Sequence, residues 1–220
     1  MMKKNNWIKF AILAALLIVP GVIFLFMKIA GENYYDLPVF NPEVPGCSLN
    51  QQESTHRVPP FILTDQDSSQ FSSEKLSGEI YVTAFFSLNC TNNCQQRIIE
   101  MRRVQSALAA TDLKLVGITT NPAQDGPFQL KQYAYDRELE GEMWHLLTGD
   151  AAVIEELARC GYFSLGEEAA AYSSPNSYGT HLVLVDGKGQ IRGFYEAENR
   201  EEIDRLIIEI QVLQYQKRLN

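Results

Sequence analysis

Seven consecutive residues, IYVTAFF from Ile80 to Phe86, are apolar, aromatic or β-branched with no polar alternation. A strand with one wet face alternates, whereas an unbroken run of this kind is covered on both faces. Sheets covered on both faces are built from parallel strands joined by helical crossovers. The stretches downstream fit that demand. Ile98, Met101, Val104 and Leu108 recur at spacings of three and four, which predicts a helix with an inward stripe. Arg97, Glu100, Arg102 and Arg103 are assigned to its outer side. LKLVGIT (Leu113–Thr119) is a second buried strand, followed by the breaker Asn121-Pro122 and a helix around Gln129 to Arg137.

A short strand near Trp144 to Leu147 then precedes a helix from Ala151 to about Cys160. HLVLVDGKGQIRGFY gives two strands joined at Asp186-Gly187-Lys188-Gly189, a hairpin signal, and Ile203, Leu206, Ile207, Ile210 and Leu213 form the inward stripe of a closing helix. Before the central strand, the sequence from Val58 suggests a short strand, a polar turn at Asp65 to Ser69 and a return. Two parallel strands joined through helices and finished by an antiparallel hairpin describe an α/β, thioredoxin-like domain over 58–220.

The N-terminus carries a different signal. Phe10 to Met27 reads FAILAALLIVPGVIFLFM, uncharged throughout and about as long as a helix needs to cross a hydrocarbon core. Trp7 suits an interfacial position, and Pro20 is tolerated in a membrane helix. Lys3, Lys4 and Lys9 precede the segment and Lys28 follows it, so the positive-inside rule keeps residues 1–9 cytoplasmic and exports the body. A cleaved signal peptide is the rival reading, but its apolar region is usually only about 7–15 residues, and Lys28-Ile29-Ala30-Gly31-Glu32 is a poor cleavage site. The expected organisation is a single transmembrane anchor over 10–28, a Pro- and Gly-bearing tether over 29–57, and an exported domain, with the periplasm as the expected compartment. A net charge of −8 argues against a nucleic-acid partner.

Cys90 and Cys94 follow the central strand and open the predicted helix. Unpaired N–H groups and a positive partial charge at a helix N-terminus favour thiolate, the nucleophilic and metal-binding form of cysteine. Residues four apart share a helix face, so the pair can form a structural disulfide, a redox couple or a clamp for a soft metal such as Cu(I) or Zn. Two thiolates leave a metal site incomplete, and the chain has three histidines. His56 lies in the lead-in and His145 on a short strand, whereas His181 opens the strand feeding the hairpin. In a thioredoxin-like sheet the loop before that strand faces the cysteine helix, which places His181 within reach.

These motifs resemble the Sco/SenC family, copper chaperones for the assembly of cytochrome c oxidase. The resemblance runs from about Val58 to the C-terminus. It is carried by FILTDQD (61–67), LSGEIYVTAFF (76–86), the CxxxC of Cys90 and Cys94, ITTNPAQDGPFQLKQYA (118–134), WHLLTGD (144–150) and THLVLVDGKGQIRGFY (180–195). It implies one copper ion held by Cys90, Cys94 and His181. It also implies delivery to a cytochrome c oxidase subunit or another copper-accepting protein. The chain departs from the family pattern at Thr91 and Gln95, where proline usually follows each cysteine, and at Asn121, where aspartate is usual.

The alternative function is thiol–disulfide exchange on exported proteins, with Cys90 attacking and Cys94 resolving and no need for His181. No peroxiredoxin-type threonine-proline-x-x-cysteine pattern is present. Cys47 and Cys160 have no cysteine nearby in sequence; in an oxidising compartment they either pair with each other, closing a long loop, or remain two free thiols. The stretch from Glu167 to Thr180 is expected to be an excursion that moves to bring His181 to the thiolates when metal binds.

Overall fold

The computed structural model describes residues 37–41, 47, 55–89, 94–139, 141–164 and 181–219, together with 7, 9, 13, 14, 16, 18–22 and 25; Cys94 is described by its place in a helix only. The chain divides into two compact units, Met1–Asp36 and Leu37–Asn220. In the first, the described residues are helical, and Leu13, Leu16, Ile18, Val19, Val22 and Leu25 are all exposed. Among the described residues no helix is long and apolar enough to cross a membrane. Most of the expected 10–28 span lies outside them.

The second unit is built on a seven-stranded sheet. Strands β1 (Ile62–Asp65) and β2 (Gln70–Ser72) form the first hairpin, and a 3-10 turn at Ser73–Leu76 leads to β3 (Tyr81–Phe86). Helix α1 (Cys94–Ala107), β4 (Lys114–Thr119), α2 (Pro127–Asp136), β5 (Trp144–Thr148) and α3 (Ala151–Glu156) follow. The chain ends with β6 (His181–Val185), β7 (Ile191–Glu196) and α4 (Arg200–Leu219). The sheet order is β2-β1-β5-β4-β3-β6-β7. β3 pairs in parallel with β4, and β4 with β5; β1 runs antiparallel to β5, and β6 antiparallel to β3. The parallel core therefore has three strands, one more than the periodicity counted.

Every residue of β3 is buried, as its unbroken apolar run requires. Ile80, Val82, Ala84 and Phe86 enter one core with Ile98, Met101 and Val104 of α1, Leu130 and Tyr133 of α2, and Ile203, Leu206 and Ile210 of α4. Tyr81 and Phe85 enter the opposite core with Phe61, Leu63, Phe71 and Ile154. Ile207, expected in the inward stripe of α4, is partly buried at its margin. At the centre of β4 the approach is so close that a Cβ on Gly117 would lie 2.8 Å from Leu146 Cδ2 and 2.9 Å from Phe86 Cε1.

The β6–β7 hairpin turns where expected. Asp186 Oδ1 accepts hydrogen bonds from the Lys188 and Gln190 amides at 2.9 and 3.0 Å, and Gly189 takes the left-handed conformation, φ +75°. This hairpin also anchors the lead-in. The Phe40 amide donates to Ile191 O and the Val58 amide to Gly189 O, both at 2.9 Å. Arg192, buried and paired with Asp186 at 3.2 Å, donates to the Leu37 carbonyl. Cys47 and Cys160 are disulfide-bonded, with Cα atoms 5.3 Å apart and 113 residues between them in sequence. Of the two alternatives for these cysteines, the structure has the bridge. Cys160 belongs to a π-helical turn (Leu157–Gly161) that continues α3.

Candidate metal centre

The connection from β3 to α1 is stitched to the connection from β4 to α2. The Leu88 amide donates to Asp125 Oδ2 at 3.1 Å, two residues before Cys90. Thr119, the last residue of β4, donates its hydroxyl to the same oxygen at 2.6 Å and accepts from the Asn121 amide at 3.0 Å. The Thr120 amide reaches back to the Phe86 carbonyl at 2.7 Å. On the surface above, Gln124 Oε1 accepts from Asn89 Nδ2 at 3.0 Å and Asn121 Nδ2 at 3.1 Å.

Asp125 is fully buried, and its Oδ1 has no hydrogen-bond partner among the described residues. A buried carboxylate this poorly satisfied is costly to keep, so its place beside the cysteine connection is a functional signal. Sequence reasoning passed over Asp125 and Gln124. A periodicity-based reading assigns them to a turn, and the long-range bond to Leu88 leaves no trace in local spacing. Asn121, which stands where the family usually has aspartate, supplies an amide donor to Gln124.

Helix α1 runs over Cys94–Ala107, and the expectation that Cys90 shares its face falls on a residue outside those described. Its first turn lies at the C-terminal end of β3, where a helix N-terminus presents a positive partial charge. Arg97, one turn after Cys94, departs from expectation: it is 5% exposed and donates to the Phe85 carbonyl. The reason is helical geometry. Arg97, Met101, Val104 and Leu108 are spaced by four, three and four, so the arginine heads the inward stripe. Burial lowers its pKa to about 10, opposed by the negative charge of Glu198, so the guanidinium stays cationic at neutral pH.

His181 is the first residue of β6, pairs with Glu196 of β7 and is half-buried. In the antiparallel pairing with β3, Tyr81 faces Val185 and Thr83 faces Val183. Continuing that register by two residues sets His181 beside Phe85, at the end of β3 from which the cysteine connection departs. The other two histidines are committed elsewhere. His56 bonds through Nε2 to the Gly161 carbonyl at 2.8 Å and packs on Phe163 with ring centroids 4.4 Å apart. His145 packs against Phe71 at 4.7 Å, with its pKa pushed down to about 4, chiefly by burial and further by Lys114 and Lys75.

Cys90, Thr91 and the 165–180 excursion lie outside the described residues, and nothing is described of the Cys94 side chain. Among the described residues no cluster of three or more His, Cys, Asp and Glu side chains converges on a metal position. The backbone does bring the start of α1, the end of β3 and the start of β6 to one end of the sheet.

The profile of the SCO1/SenC family matches residues 49–212. The chain belongs to the SCO1/SenC family. It is 28% identical over 176 residues to the SCO1 protein homolog of Bacillus subtilis, covering 76% of this chain and 81% of that relative. The solved structure of BsSco, a member of the Sco family of cytochrome c oxidase assembly proteins, has a TM-score of 0.62 at 25% identity, over 71% of this chain and 92% of that one. Yeast Sco1, solved with copper bound, shares the fold at a TM-score of 0.53 and 20% identity, over 70% and 92% of the two chains. The thioredoxin-like α/β domain expected from the sequence is thus the fold observed.

Proposed function

We propose that this SCO1/SenC protein is a membrane-anchored copper chaperone that holds one copper ion through Cys90, Cys94 and His181 and hands it to a copper site of cytochrome c oxidase. The observation that carries the reading is the meeting of α1, which Cys94 opens, with β6, which His181 opens, at the C-terminal end of β3. The donor set suits the cargo: two thiolates and an imidazole form a soft, three-coordinate set that favours Cu(I) and also accommodates Cu(II). The N-terminus of α1 favours the thiolate forms, and the Asp125–Leu88 bond steadies the chain entering Cys90. Hand-over then requires only stepwise replacement of three ligands by those of an acceptor, without covalent turnover.

The first unit supports the anchoring part of the reading, since its described apolar side chains are exposed on helical residues that come after Lys3 and Lys4 in the chain. The domain then faces the periplasm, an oxidising compartment in which the Cys47–Cys160 bridge persists.

The test is anaerobic Cu(I) titration of the full chain in detergent, following thiolate-to-copper charge-transfer absorption. One equivalent binds the wild type, Cys90→Ser weakens the band by removing one of its two thiolates, and His181→Ala lowers affinity at least tenfold. Unchanged copper affinity in His181→Ala, together with His181-independent reduction of a disulfide substrate, would replace the chaperone reading with thiol–disulfide exchange.

A further inference from the structure

A guanidinium is expensive to bury, and an apolar side chain of similar length would fill the Arg97 position at less cost. The structure nevertheless puts a cation there, at the head of the inward stripe of α1. Two links relate it to the candidate centre. It stands three residues after Cys94 on the same helix, and residues so spaced are neighbours on a helix surface. It also donates to the carbonyl of Phe85, the residue that the β3–β6 register sets beside His181. The cation is therefore held between α1, which Cys94 begins, and the end of β3, which the continued register sets beside His181.

We propose that Arg97 biases the copper site toward the monovalent ion. The proposal rests on the reading of Cys90, Cys94 and His181 as the ligands. Two thiolates and a neutral imidazole give the site a net charge of −1 around Cu(I) and zero around Cu(II). The two states differ by one electron, with no bond made or broken, and a nearby fixed positive charge stabilises the more negative state. Two carboxylates temper this field: Glu198, whose charge acts on Arg97, and Asp125, buried on the other flank beneath Leu88. Among these groups Arg97 is the cation, and its side chain is fixed on a backbone carbonyl.

The test is a redox titration of the copper-loaded full chain in detergent, following the paramagnetic Cu(II) signal against applied potential. Arg97→Met is expected to lower the Cu(I)-over-Cu(II) affinity ratio about tenfold, a fall of about 59 mV for this one-electron couple. Arg97→Lys, which keeps the charge, restores most of the difference. Glu198→Gln moves the potential upward, because it removes the opposing charge. Glu198 is exposed, so this variant decides the question even where Arg97→Met fails to fold. Two results overturn the proposal: an unmoved potential in Glu198→Gln, or equal changes in Arg97→Met and Arg97→Lys. A wild-type chain that binds no copper overturns the ligand reading as well, whereas normal copper binding with an unmoved potential removes only the role of Arg97.

Discussion

Removing the Cys47–Cys160 bridge with the double substitution Cys47→Ser and Cys160→Ala tests how the lead-in contributes to stability. The bridge spans 113 residues. Loop-closure entropy removed from the unfolded chain for a loop of that length is about 16 cal/mol/K, or roughly 5 kcal/mol at 25 °C. In the native state little should change. Other bonds hold the lead-in in place: the Phe40 amide to Ile191, the Val58 amide to Gly189, the His56 ring to Gly161 and Arg192 to Leu37. Choosing alanine for the second cysteine avoids adding a polar group to a buried position. Guanidinium unfolding, with m on the order of 5 kcal/mol/M, should show a midpoint about 1 M lower than the wild type. Hydrogen exchange at the Phe40, His56 and Val58 amides should stay slow relative to global unfolding. A midpoint shift under about 0.2 M would refute the entropic reasoning. Loss of protection at those amides would show instead that the bridge acts on the native state.

Three further outcomes follow from the packing and electrostatics of the domain. Gly117→Ala forces a methyl against Leu146 and Phe86. Overpacking of that kind costs about 1–3 kcal/mol and should lower the melting temperature by roughly 2–12 °C; an unchanged melting temperature would mean that the strands yield freely. His145 takes a proton near pH 6.5 in the unfolded chain but only near pH 4 when folded. Acidification through that window therefore favours unfolding, and stability should fall from pH 6.5 to about 4 and then level off as far as this residue is concerned. His145→Gln should flatten that slope in unfolding curves taken at about pH 7.5 and about pH 4.5, on either side of most of that window, and equal slopes would contradict the assignment. Asp125→Ala leaves the Leu88 amide and the Thr119 hydroxyl without their acceptor, at a cost of about 1–3 kcal/mol each. Asp125→Asn keeps an oxygen for both, so copper affinity should fall in the alanine variant and persist in the asparagine one. Equal losses in the two variants would show that the charge matters and the clamp does not.

Much of the fold could be read from local pattern because the elements that carry it are locally consistent. Ile80–Phe86 is apolar, aromatic or β-branched without interruption and is buried on both faces. The DGKG turn needs only its own aspartate and a left-handed glycine. The closing helix shows its stripe plainly. Features made by distant partners were less visible. Trp144–Thr148 looks like an isolated short strand until β4 and β1 flank it. Asp125 looks like a turn residue until Leu88 donates to it.

Arg97 departs from its expected outer position for a different reason. A charged residue type points outward, whereas the spacing to Met101, Val104 and Leu108 puts Arg97 on the inner face. At the candidate site, the cysteine pair and His181 were chosen from chemistry and topology, while the supporting residues on both flanks emerged only from the fold.

X-ray absorption at the copper edge of the loaded chain bears most directly on the central claim, because it counts the atoms around the ion. Two sulfur neighbours and one nitrogen neighbour are expected in the wild type, with the nitrogen lost in His181→Ala and one sulfur lost in either Cys90→Ser or Cys94→Ser. An unchanged nitrogen shell in His181→Ala, or a shell without sulfur in the wild type, would contradict the account.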